Sequence, residues 1–340
     1  MGIPLLILVV FLALMMATWR ERVGKALNVA RHTKRPMSAG IGPISVICMP
    51  FMQTGDKSPA ISTFNVTMLG STPSIDLPSP PPGFIYNSLQ IINVGGITAG
   101  AGAAAGNGAE DVIDRISITA KSGPPIVDNV RWYAMWLLGF SIDGFTPVAG
   151  VMPAATGAYR SEIHVPTVIK ENEVVTVRVT CVGAHATYHT TSTAFAGVVR
   201  IYADTVPAGN AKNKKRVIYT EEPIDVLGAA GTQDYTPKVM EQYQIFRHII
   251  YTQDTARGTL ANDLNTVTMI FGGKNIVPPG TLFVDLQGQT AKDFRRAVLV
   301  GIAIVDQKPV VNTAADKVTL LNGAVATVAS SGVIHVYLEP

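Results

Sequence analysis

The sequence predicts an all-β protein: two tandem antiparallel sandwiches preceded by an N-terminal transmembrane α-helix. Two observations carry this reading. Residues 3–19 form one uncharged apolar run, and from residue 44 onward short β-rich runs alternate with Gly, Pro, Asn and Asp while helical periodicity is sparse. About 300 residues follow the first run, enough for two domains of about 150.

The run at 3–19 consists of Ile3, Leu5, Leu6, Ile7, Leu8, Val9, Val10, Phe11, Leu12 and Leu14 with small or apolar neighbours, and closes at Trp19. As a helix it covers roughly 25 Å, close to the hydrocarbon thickness of a bilayer. Pro4 falls in the first turn, where its missing N–H costs nothing, and an indole ring at position 19 suits the headgroup boundary. A cleaved secretory signal or a pilin-type leader places basic residues ahead of the apolar run. Here they follow it: Arg20, Arg22, Lys25, Arg31, Lys34 and Arg35, against Glu21 alone. By the positive-inside rule the body stays on the cytosolic side, and these six side chains contact anionic headgroups. An uncleaved or atypically cleaved export signal is the alternative. Trp19, Val23, Leu27 and Ala30 recur at helical spacing, so the helix is expected to continue to about 35, ended by Pro36 and the Gly- and Pro-containing stretch to Pro43.

Composition narrows the function classes. Charged residues make up 15% and apolar ones 47%, so most of the body is expected to be buried or in contact. The net charge of +3 is more than accounted for by the basic flank, which leaves a near-neutral body. No concentrated basic stripe remains for a dedicated or sequence-specific nucleic-acid surface. Cys48 and Cys181, both in apolar strand-like contexts, are expected as buried free thiols.

In the first half, strands are expected at 44–52, 61–69, 84–94, 115–121, 173–182 and 196–203. The Pro-rich connection at 73–83 is expected to run over the surface. The Gly/Ala stretch at 95–108 reads as a mobile loop, since it lacks the Lys-Ser/Thr ending of a phosphate-binding loop. The aromatic cluster at 128–145, with Trp132, Tyr133, Trp136 and Phe140, reads as core or as a seam between domains. Residues 207–216 carry Lys212, Lys214, Lys215 and Arg216 and form the expected boundary, most simply a solvated turn. The organisation is therefore 1–41, membrane helix and basic segment; 42–206, first domain; 207–216, linker; 217–340, second domain.

The second set of strands is expected at 217–227, 243–252, 266–271, 281–286, 297–305, 318–321 and 325–338. Two short stretches echo each other across the halves. Asn65-Val-Thr-Met-Leu precedes a proline turn at 80–83, and Asn265-Thr-Val-Thr-Met-Ile precedes one at 278–280. They read as a faint duplication of one β unit.

Chemistry is sparse. His185 and His189 in HATYH have i, i+4 spacing, but that segment reads as loop or strand and no neighbouring Cys or carboxylate completes a metal set. Nucleophile-elbow, zinc-protease, EF-hand and dinucleotide fingerprints are absent. Glu221-Glu222 and Glu110-Asp111 sit close to turn residues and read as solvated, and the sequon at Asn65 matters only on an exported protein. Neither an active site nor a cofactor is expected.

Strand count, domain size, the boundary near 207–216 and the echo together resemble, over roughly residues 42–340, the double jelly-roll major capsid proteins of icosahedral viruses with an internal membrane. That resemblance implies two jelly-roll sandwiches and a structural, non-enzymatic subunit. It also implies self-assembly, commonly as trimers whose six jelly rolls tile a shell beside neighbouring capsomers, with the lipid membrane and other virion proteins as partners. The implied location is a virion capsid over an internal membrane, assembled in the host cytoplasm. The loops at 95–108 and 146–157 would then be exposed decoration or contacts between capsomers. A membrane-tethered β-sandwich of a cell-surface lattice or adhesion layer is the alternative. A tethered enzyme requires His185 and His189 to meet a distant carboxylate.

Overall fold

A computed structural model describes residues 60–66, 70–99, 112–121, 123–142, 156–183, 192–211, 215–225, 231–240, 242–252, 264–294, 301–322 and 330–339. The chain divides into two compact units, Met1–Ile44 and Ser45–Pro340, and every described residue belongs to the second.

The first eight strands are β1 Ser62–Val66, β2 Ser74–Leu77, β3 Phe84–Ala99, β4 Ile113–Ala120, β5 Val127–Arg131, β6 Gly157–Ile169, β7 Val175–Cys181 and β8 Ser192–Pro207. The second eight are β9 Val217–Asp225, β10 Thr232–Tyr235, β11 Gln244–Tyr251, β12 Leu264–Phe271, β13 Lys274–Leu282, β14 Ile302–Val310, β15 Lys317–Asn322 and β16 Ser330–Leu338. Helix α1, Trp132–Ile142, joins β5 to β6, and α2, Phe283–Asp293, joins β13 to β14.

Strand order repeats with the same connectivity. One four-stranded sheet runs β1-β8-β3-β6 and another runs β10-β15-β12-β13. The remaining strands share an eight-stranded sheet in the order β14-β11-β16-β9-β5-β4-β7-β2. Adding eight to each strand number of the first half yields the order of the second, and each helix bridges the fifth and sixth strands of its set. Each half is thus an eight-stranded, two-sheet jelly roll. Among the described residues every strand pair is antiparallel except β5–β9, which is parallel and joins the halves through Val127↔Tyr219 and Asp128↔Thr220.

The eight-stranded sheet explains the two cores. Alternate residues of β11 and β16 face opposite ways. Ile249, Tyr251, Ile334 and Val336 pack with Ile116, Val130, Trp132 and Val177 of the first half. Ile245, Ile250, Val333 and Tyr337 pack with Val267, Met269, Phe271 and Leu320 of the second. The strands of the second half's inner sheet are therefore covered on both faces, which is why β11 (QIFRHIIY) is nearly continuous in apolar residues.

Several expectations need correction. Residues 95–99 are not loop. They extend β3, where Gly95 lies so close to β8 that a Cβ would come 2.2 Å from the Ala196 carbonyl oxygen; residues 100–108 lie outside the described residues. The aromatic cluster packs in the core as expected, through Trp132, Tyr133 and Trp136, but from Trp132 onward it is a helix. α1 is apolar nearly all round and is buried accordingly, with Trp132, Ala134 and Met135 at zero exposure. Strand β6 carries Pro166, which a sheet tolerates because β6 is an edge. Part of the Pro-rich connection, Ser74–Leu77, is an edge strand paired with β7. Pro278 and Pro279 lie within edge strand β13, and the expected strand at 281–286 becomes the start of α2, whose Phe283, Gln287 and Thr290 make one buried face.

The echo is also overturned. Asn65 stands on the first strand of its jelly roll and Asn265 on the fourth of its own, so the two stretches are not equivalent. The duplication lies in topology, and the short Thr/Val/Pro matches come from composition.

Candidate functional site: the junction between the two sandwiches

A ladder of two parallel residue pairs is a weak joint for two domains, and side chains reinforce it. At its centre is Glu221 of β9. It shares the strand face of Val217 and Tyr219, so it points into the first half's core, and its side chain has no exposure. Where the β5–β9 ladder ends, the backbone N–H of Arg131 donates to Glu221 Oε2 at 2.6 Å, which satisfies a strand group that has run out of partners. Arg131 Nε lies 3.4 Å from Oε1 and Arg115 Nη1 3.6 Å from Oε2. The Tyr251 hydroxyl donates to Oε1. Arg115 is oriented in turn by its bond to the Asn129 carbonyl at 2.7 Å, where Asn129 adopts a positive φ of 51°.

The electrostatics follow from this enclosure. Burial, with the Glu221 charge beside it, pushes the Tyr251 phenol well above its ordinary value, so it acts as a donor. Burial opposes the Arg131 charge, but Tyr251, Glu221 and Asp114 outweigh it and hold the guanidinium above its usual value. Tyr251 reaches Glu221 only because the residue beside it in the ladder is Gly332: a Cβ there would stand 2.7 Å from the Tyr251 hydroxyl oxygen.

A second cluster closes the other end of the seam. Arg216, just before β9, is 5% exposed, and its guanidinium pairs with Glu173 and donates to the Val168 carbonyl at 3.2 Å. Its backbone N–H reaches Glu339, which Lys170 holds at 2.9 Å. Thr167 donates to the Val217 carbonyl at 3.0 Å and Tyr219 to the Pro166 carbonyl at 2.7 Å, while Lys238 pairs with Asp128. Apart from the bond between Arg216 and Glu339, each of these contacts ties residues of the first half to β9, its flank, Lys238 or Glu339 of the second.

These residues correct two readings. Glu221 is sealed and Glu222 half-buried, not solvated, because β9 is covered on both faces. Arg216 is buried in an ion pair, while Lys215 is exposed as expected. A sequence signal existed: within VIYTEEPID, Glu221 falls on the same alternation as Val217 and Tyr219. Cys181 is a buried free thiol. His185, His189, Cys48, Glu110, Asp111, Lys212, Lys214 and every anchor and headgroup residue from Ile3 to Arg35 lie outside the described residues. Among the described residues no cluster of three or more metal-ligating side chains forms, and no helix is long and apolar enough to cross a membrane.

The fold and its junction define a double jelly roll held as one piece. No family model matches the chain, and no curated protein matches it. Among solved structures it is similar to the STIV MCP (major capsid protein), with a TM-score of 0.55 at 13% identity, over 82% of this chain and 96% of that one. It is equally similar to a chain in the atomic structure of Sulfolobus Turreted Icosahedral Virus, with a TM-score of 0.55 at 13% identity over 81% and 90%. The major capsid protein P2 of bacteriophage PM2 aligns with a TM-score of 0.48 at 11% identity over 82% and 97%. At such identities the likeness is one of fold, and the fold is that of double jelly-roll major capsid proteins.

Proposed function

We propose that this chain is a major capsid protein, a structural subunit that self-assembles, as trimers, into an icosahedral shell anchored to an underlying membrane. The observation that supports it best is the doubled eight-strand order joined by one continuous sheet. Two similar sandwiches locked side by side make a rigid tile, and the likeness in fold to the STIV major capsid protein supports that reading. In this reading residues 1–41 form the membrane segment, 42–206 and 217–340 the two jelly rolls, and 207–216 the linker. Ile3 to Trp19 sit in the bilayer, and Arg20, Arg22, Lys25, Arg31, Lys34 and Arg35 hold anionic headgroups at about 1 kcal/mol per well-placed residue. Neighbouring capsomers and other virion proteins are the remaining partners, assembly takes place in the host cytoplasm, and no catalysis is assigned.

The test is electron microscopy of membranes from cells expressing the full chain. Curved bilayers covered by a pseudo-hexagonal array of trimers are expected on the cytosolic face. A planar lattice on the outer face would favour the cell-surface alternative, and dispersed monomers would overturn both.

A further inference from the structure

His248 of β11 and His335 of β16 stand opposite each other on neighbouring strands, on the face turned to the second sandwich's core. Neither has any exposure. Their Nδ1 atoms are 2.8 Å apart and the rings meet edge-on. Two ring nitrogens at that separation need one proton between them, so one ring donates and the other accepts. His335 Nε2 lies 3.3 Å from the Tyr235 hydroxyl on β10, across the sandwich. The His248 ring packs 4.5 Å from the Phe271 ring, and its Nε2 has no partner among the described residues.

Among the described residues no carboxylate is hydrogen-bonded to either ring. β9 contributes Thr220 and Glu222, with the Glu222 carboxylate held by the Lys238 N–H. From β10 comes Tyr235; β14 adds Val305 and Gln307, and β16 itself Tyr337. The facing strands β12 and β15 contribute Met269, Phe271, Val318 and Leu320. Asp316, at the end of that core, is held by the N–H groups of Gly272 and Thr313. A further proton on the pair would set N–H against N–H or leave a buried cation whose Nε2–H at His248 finds no acceptor.

We propose that the His248–His335 pair is a proton-operated release built into the second jelly roll: acid charges the rings only by parting β11 from β16. Those strands lie in the sheet that spans both sandwiches, so their parting would undo the tile as well as one core. Burial pushes His335 down to about 3, and burial with its neighbour's charge pushes His248 well down. In the unfolded chain both rings take protons near 6.5. The unfolded state therefore binds more protons below about 6.5, and folding weakens as pH falls from there toward about 3.

The test is urea unfolding of the full-length chain in detergent at pH 7 and pH 5, beside the variant H248Q/H335Q. The unfolding constant of the natural chain is expected to rise about 600-fold more than that of the variant over this interval, two sites each contributing about 25-fold. A difference below tenfold overturns the proposal. Should the variant fail to fold, nitrogen-15 NMR of the natural folded chain decides: complementary neutral tautomers that persist down to pH 5 are expected, and a ring titrating near 6.5 overturns it. Neither readout requires a shell, so this inference stands or falls separately from the capsid reading.

Discussion

Arg131 meets Glu221 twice: its backbone N–H donates to one carboxylate oxygen at 2.6 Å, and its guanidinium Nε lies 3.4 Å from the other. One residue of the first sandwich thereby secures both oxygens of a buried acid of the second. Removing the acid strands Arg131 and Arg115 beside each other. Glu221→Ala is expected to cost about 3 kcal/mol in urea unfolding. Glu221→Gln should cost less, since its amide oxygen still accepts from the Arg131 N–H. A double-mutant cycle with Arg131→Met should show coupling above about 1 kcal/mol.

Gly332 and Tyr251 act as a unit. Tyr251→Phe should cost about 2 kcal/mol through loss of a hydrogen bond to a charged acceptor. Gly332→Ala should cost at least as much, because the new methyl displaces the ring that reaches Glu221. In the Gly332→Ala background, Tyr251→Phe should then be nearly silent. Full additivity of the two would refute the coupling.

Two adjacent glycines of β3 separate packing from backbone entropy. Gly95→Ala places a methyl 2.2 Å from the Ala196 carbonyl and 2.7 Å from the Gly197 Cα, backbone atoms that cannot step aside. A loss of about 3 kcal/mol is expected. At Gly96 the nearest atom is 3.5 Å away, and Gly96→Ala should leave the melting temperature unchanged or slightly raised.

Glu222 shows the opposite pH behaviour to the histidine pair. Burial raises its carboxyl, the Lys238 N–H and charge oppose that, and Asp128 and Glu221 add to it. With the folded value above the unfolded one, ionisation carries a penalty that is present at neutral pH and absent below about 4.3. Glu222→Gln should therefore stabilise the chain at pH 7–8 by less than about 1 kcal/mol, with the gain vanishing near pH 4. Thermal melts across that range check the sign.

Deleting residues 1–19 is expected to leave a chain that still folds and trimerises but no longer floats with vesicles in a density gradient. Continued flotation of the truncated chain would count against the anchor.

The fold class was legible because burying one face of a strand leaves a period-two trace, and because turn residues punctuate it. Strands β7, β9, β11, β12 and β15 stand close to where that trace places them. Elements were missed where an edge relaxes the rules. Pro278-Pro279 in β13 reads as a turn, yet an edge strand needs no donor on its open side, and the same tolerance admits Pro166 in β6. The helices α1 and α2 were missed for different reasons. The first is too apolar to show a stripe, and the second follows a proline-rich strand directly. The junction was the least legible part, since Glu221 and Arg216 look like ordinary surface charges until β9 is known to be covered on both faces.

By itself the sequence determined that this is an all-β chain, because alternation and turn chemistry are local properties of a strand. Only the tertiary structure decided which charges are buried, which histidines face each other, and that two sandwiches share one sheet. Those facts depend on which strands become neighbours across more than 80 residues of chain, as His248 and His335 do, and local patterning carries no record of that pairing.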